Sequence, residues 1–132
     1  MAGLVRLDGP GKIKMDALED ALTSMQRIHG LVEQMAIAVK NQKPGSIYGM
    51  QIRRAASPLV GQLKGHFGSI ADMISAFILV ATRGGGSEQN KVRALREQVA
   101  MIRTTMELAQ NKVKEQHAIE EDKDKKGASE ET

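Results

Sequence analysis

Cysteine is absent from this chain of 132 residues, and so is tryptophan. Without a thiol there is no disulfide, no thiolate metal ligand and no cysteine nucleophile. Aromatic side chains are scarce as well: Tyr48, Phe67 and Phe77 are the whole set. With few alternating β-branched runs beside them, that scarcity argues against a sheet. The opening MAGLVRLDGPGKIKMD contains no apolar run of signal-peptide length. The apolar run Ile70 to Thr82 is too short to span a bilayer and is interrupted by Asp72. The expectation is a cytoplasmic protein with no membrane span.

Catalytic constellations are missing too. His29, His66 and His117 are isolated in sequence, without the Glu-x-x-His spacing that builds metal sites in helical bundles. Gly84-Gly85-Gly86 follows a helix instead of joining a strand to a helix, and Lys91 does not complete a phosphate loop. The sequence therefore predicts a non-enzymatic chain with no cofactor and no metal.

What the chain does have is helical periodicity, over a length that suits one domain. Leu, Ile, Val, Ala and eight methionines supply the core material, methionine acting as an adaptable filler. The organising stretch is Ile52 to Arg83. Within it Ala56, Leu59, Leu63, Phe67, Ile70, Ile74, Phe77 and Ala81 recur at steps of three and four, which is one helical face. Almost opposite runs a line of small residues, Ser57, Gly61, Gly65 and Ser69. Glycine inside a helix costs about 1 kcal/mol against alanine, so the line asks for a reason. Close approach of another helix is one, a ligand contact another, and a break near Gly65 to Gly68 a third. Ser57-Pro58 reads as a helix start, with a shorter helix from Ser46 to Ala56 before it; a single proline-kinked helix is the alternative.

On either side lie partners for this stretch. Asp8-Gly9-Pro10-Gly11 is a turn signal, and residues 1–15 read as an extended arm. A first long helix is expected from Asp16, where Asp-Ala-Leu-Glu resembles a capping box, with Lys40 and Lys43 at its C-terminal end, Pro44-Gly45 as its stop and Ser46 capping the next helix. Its apolar stripe is Leu18, Leu22, Met25, Ile28 or His29, Val32, Met35 and Val39. After the glycine turn, Ser87 and Glu88 open a last helix with a heptad seam Val92, Leu95, Val99, Ile102, Met106, Ala109 and Val113. That seam is the pattern of coiled coils and up-down bundles. The fold class predicted is all-α: an antiparallel bundle of three long helices and one short one over residues 16–119. Residues 120–132 hold six acids and three lysines and read as a disordered acidic tail.

One resemblance bears on the central stretch. Ala56-Ser57-Pro58-Leu59-Val60-Gly61 and Gly61-Gln62-Leu63-Lys64-Gly65 resemble the A-H-x-L-K-G motif of histidine-phosphotransfer domains, which are four-helix bundles of this size. At the position of the phosphorylated histidine stand Ser57 and Gly61. The resemblance implies a phosphotransfer-like bundle lacking its phosphoacceptor.

Three functions follow as expectations. The leading one is an interaction or scaffold protein, pairing with itself or with another helical protein through Ser57, Gly61, Gly65 and Ser69. The second is a small basic subunit tracking nucleic-acid backbone with Arg93, Arg96 and Arg103, which lie off the last seam at helical spacing. The phosphotransfer-like bundle is the third.

Overall fold

Asp8 starts the fold. Its carboxylate accepts the backbone N–H of Gly11 at 2.7 Å, and Pro10 falls in the first turn, where its missing N–H is no loss. The first helix, α1, therefore runs Gly9–Lys40. This corrects the expected start at Asp16 and the extent of the arm: Asp-Gly-Pro-Gly is a cap followed by a helix-compatible proline, not a turn. The structure, a computed structural model, describes residues 6–119. The predicted tail, 120–132, lies outside the described residues, as do residues 1–5 of the predicted arm.

Three more helices follow: α2 Ser46–Leu63, α3 Gly68–Thr82 and α4 Glu88–His117. All regular structure among the described residues is helical, apart from an isolated antiparallel bridge between Leu7 and Ala118. The expectation of three long helices and one short one is corrected to 32, 18, 15 and 30 residues. Two physical reasons account for the change. Pro58 does not start a helix, because α2 passes through it on an exposed face, where water can take the carbonyl its ring leaves unbonded. The stretch from Ile52 to Arg83 is instead broken at residues 64–67, where the Phe67 N–H closes a turn on the Leu63 carbonyl at 2.7 Å. Ser46 likewise is the first helical residue and not the cap, which is Gly45.

Helix α1 packs against α2 and α4, and α3 packs against the same two; among the described residues the backbones of α1 and α3, and of α2 and α4, stay more than 8 Å apart. The core between them contains no buried polar or charged side chain among the described residues. The expected stripes are its walls: Leu18, Met25, Ile28, Val32 and Met35 from α1, Ala56, Leu59 and Leu63 from α2, Ile70, Ile74, Phe77 and Ala81 from α3, and the α4 seam from Val92 to Val113. Ile28 is buried and His29 is not. Leu22, Val39, Phe67 and Ala109 are half-buried at the margin of the core.

Candidate interaction surfaces

The small-residue line is not an internal seam. Ser57 and Gly61 lie on α2, Gly65 in the turn after it and Ser69 in the first turn of α3; all four are exposed. A Cβ placed on Gly61, Gly65 or Gly68 would meet nothing within 4 Å. The close approaches occur at other glycines. At Gly49 a Cβ would run into the carbonyl oxygen of Ala81 on α3, and at Gly11 it would lie 2.5 Å from the His117 Cβ on α4. Gly45 is hemmed in by Met35 and by Glu88, whose carboxylate accepts the Gly45 N–H at 3.1 Å. The signal that separates the two kinds is phase: Gly49 and Gly11 continue the buried stripes that run on through Ile52 and Met15.

Of the predicted arginines, Arg96 is already engaged by an acid of α1. Arg96 grips Glu33 of α1 with two bonds, Nε to Oε2 at 2.8 Å and a terminal nitrogen to Oε1 at 2.7 Å. That hydrogen-bonded pairing holds the Glu33 carboxyl below its usual range and raises the arginine. Arg93 is exposed and Arg103 half-buried. Cations without ion-pair partners among the described residues are found elsewhere. Arg27 and Arg54 line one cleft of about 230 Å³ between α1 and α2, and α2, with Arg53 beside Arg54, contains no acidic residue.

His117 is drawn into a cluster that sequence spacing could not reveal, since Asp8 is 109 residues away. Its Nδ1 lies 3.1 Å from Asp8 Oδ1, and its Nε2 lies 3.0 Å from Lys14 Nζ. A lysine ammonium only donates, so Nε2 accepts and the proton sits on Nδ1, donated to Asp8. Asp8 is held below the ordinary carboxylate range, first by the Gly11 N–H and then by His117 and Lys14. The Asp8 N–H also donates to the His117 carbonyl, and the Ile119 N–H to that of Arg6. This is a clasp joining the start of α1 to the end of α4. Among the described residues no three His, Asp or Glu side chains gather as metal ligands. His29 stands 3.7 Å from Glu33 and His66 packs edge-on to Phe67.

The side of the molecule shared by α3 and α4 differs from the rest. A groove of about 670 Å³ opens there, with Phe67, Ile70, Leu108 and Ala109 as its apolar lining and Lys112 and Glu115 towards one end. Along α4 run two rows, each with a step of seven: Lys91, Gln98, Thr105 and Lys112, and beside it Ala94, Met101, Leu108 and Glu115; Thr105, Leu108, Lys112 and Glu115 of these line the groove. Between their charged ends the rows carry no charge. Met101 and Leu108 are each 61% exposed, and Leu79 on α3 is 69% exposed. The amide oxygen of Gln98 is buried there without a hydrogen-bond partner.

No protein-family model matches this chain, and neither a curated protein nor a solved structure matches it. The two stretches that resemble the phosphotransfer motif lie on α2 and the turn after it, with Ser57 and Gly61 at the acceptor position exposed. No helix among the described residues is long and apolar enough to cross a membrane.

Proposed function

We propose that this chain is a non-enzymatic helical interaction protein, an antiparallel four-helix bundle that associates through an exposed helix face. The antiparallel reading is supported by the clasp between Asp8 and His117 and by the Glu33–Arg96 and Gly45–Glu88 bonds, which follow opposite directions along α1 and α4. One observation carries the functional reading: the uncharged strip on the α3–α4 side, where Met101 and Leu108 stand in water beside a groove. Exposed apolar side chains that adjoin one another mark association surfaces, whereas scattered ones are ordinary. This face is favoured over the line Ser57, Gly61, Gly65 and Ser69, which has no large apolar side chain and is divided between α2, a turn and α3.

Light scattering on the full chain across a range of concentrations tests the proposal. The expected result is a mass above that of one chain, lost in Leu108→Lys while the melting temperature stays put. Gly61→Leu, on the other line, is expected to leave the mass unchanged. A single-chain mass at every concentration would overturn the reading. A cytoplasmic setting belongs to the same proposal and is open to cell fractionation.

A second reading, binding of nucleic-acid backbone, is favoured by the acid-free α2 with Arg53 and Arg54 and by Arg27 across the cleft. It differs from the first in salt dependence, because phosphate contacts weaken steeply as salt rises and an apolar face does not. Arg93, Arg96 and Arg103 are the weaker candidates for it, since Arg96 is already paired.

A further inference from the structure

We infer that the partner on the α3–α4 side is a second copy of this chain, with the two α4 helices antiparallel and Lys91 of each facing Glu115 of the other. The inference rests on the association reading above and adds to it the partner, the direction and the register.

The two rows on α4 are spaced like the a and d positions of a coiled-coil seam, alternating three and four residues apart from Lys91 through to Glu115. They form a second seam, distinct from the buried one that begins at Val92 and ends at Val113. At 1.5 Å per residue it is about 36 Å long, enough for a helix of the same length to lie along it.

Direction follows from the ends. In a parallel pair each residue of such a seam meets its own counterpart, so Lys91 would face Lys91, Lys112 would face Lys112 and Glu115 would face Glu115. In an antiparallel pair about a two-fold axis, a residue of one row meets a residue of the other row. Gln98 then faces Leu108 of the partner subunit, and Thr105 faces Met101 of the partner subunit. Lys91 meets Glu115 of the partner subunit, and the same ion pair recurs at the far end by symmetry. Lys112 meets only Ala94 of the partner subunit. Like charges are separated and opposite charges brought together, a self-complementarity that a two-fold interface requires.

The charged ends are available for this. Glu115 is exposed and has no ion-pair partner among the described residues. Lys91 donates to the Arg83 carbonyl at 2.6 Å, which leaves two of its three N–H donors free. Arg93 and Glu107 lie further out on α4, on its exposed surface.

The experiment is a charge exchange read by analytical ultracentrifugation of the full chain, with melting followed by circular dichroism. Wild type is expected to form a dimer. Lys91→Glu and Glu115→Lys should each weaken it by about tenfold or more, and the double exchange should bring the affinity back to within about threefold of wild type. Below the concentration at which dimer forms, Glu115→Lys should melt like wild type, while Lys91→Glu and the double exchange, which lose the bond to the Arg83 carbonyl, should melt slightly earlier. A monomeric wild type would overturn the association reading and this inference together. A dimer that ignores the single exchanges, or that the double exchange fails to restore, would overturn this register alone.

Discussion

Gly49 and Gly61 occupy the same helix and have opposite surroundings. The Gly49 backbone presses on the Ala81 carbonyl, so that α2 and α3 meet at van der Waals distance without a side chain between them. Gly61 faces open space within a helix and has an ordinary backbone conformation. Alanine at the two positions should therefore act with opposite sign. Gly61→Ala is expected to stabilise the chain by about 0.5–1 kcal/mol through helix propensity and a less flexible unfolded state. Gly49→Ala should destabilise it by about 1–3 kcal/mol, the usual cost of forcing a group into a packed contact. Urea melts of the two variants check both numbers. Which glycines matter was readable in principle, because Gly49 and Gly11 fall in phase with the apolar stripe. A glycine on the stripe closes a helix contact; a glycine opposite it, like Gly61, meets water.

At the scale of elements, α1 and α4 are joined along their length by polar bonds that depend on charged carboxylates. Asp8 serves the helix start and His117 at one end, and Glu33 holds Arg96 further along. Both carboxyls are held below their usual range. A group whose pKa is lower folded than unfolded contributes fully at pH above the unfolded value, and that contribution drains away as pH falls through the folded one. Acidification below about pH 4 should therefore loosen the α1–α4 contact. The variant Asp8→Asn with Glu33→Gln should show a flatter acid limb when the urea midpoint is plotted against pH. The heptad on α4 and the stripe on α1 were legible because their apolar periods are long. The α1 start was misplaced because Asp-Gly-Pro-Gly has two local solutions, a turn or a cap, and only the packing of Gly11 beneath His117 selects the second. The clasp itself was illegible, since no spacing rule relates Asp8 to His117.

At the scale of the whole molecule, every buried side chain among the described residues lies between Leu7 and Val113. A chain ending at Ile119 is therefore expected to keep a single cooperative melt with an unchanged midpoint, which calorimetry would register. The second α4 seam was hidden at this scale for a physical reason. Read alone, Met101 and Leu108 look like scattered apolar residues among polar ones, and only the groove that Leu108 forms with Phe67 and Ile70 ties this face of α4 to α3.

The clasp also orders events in time. Joining α2 to α3 closes a turn of a few residues, whereas joining Asp8 to His117 closes a loop of 109. Loop-closure entropy rises with the logarithm of length, so the longer closure costs about 3 kcal/mol more before any contact repays it. The pairs α1–α2, α2–α3 and α3–α4 are all joined by turns this short, so the α1–α4 contact is expected to be the last to close during folding. By the same reasoning it is the first to fray, which makes the hydrogen exchange of the Asp8 and Ile119 amides an early reporter of the whole molecule opening.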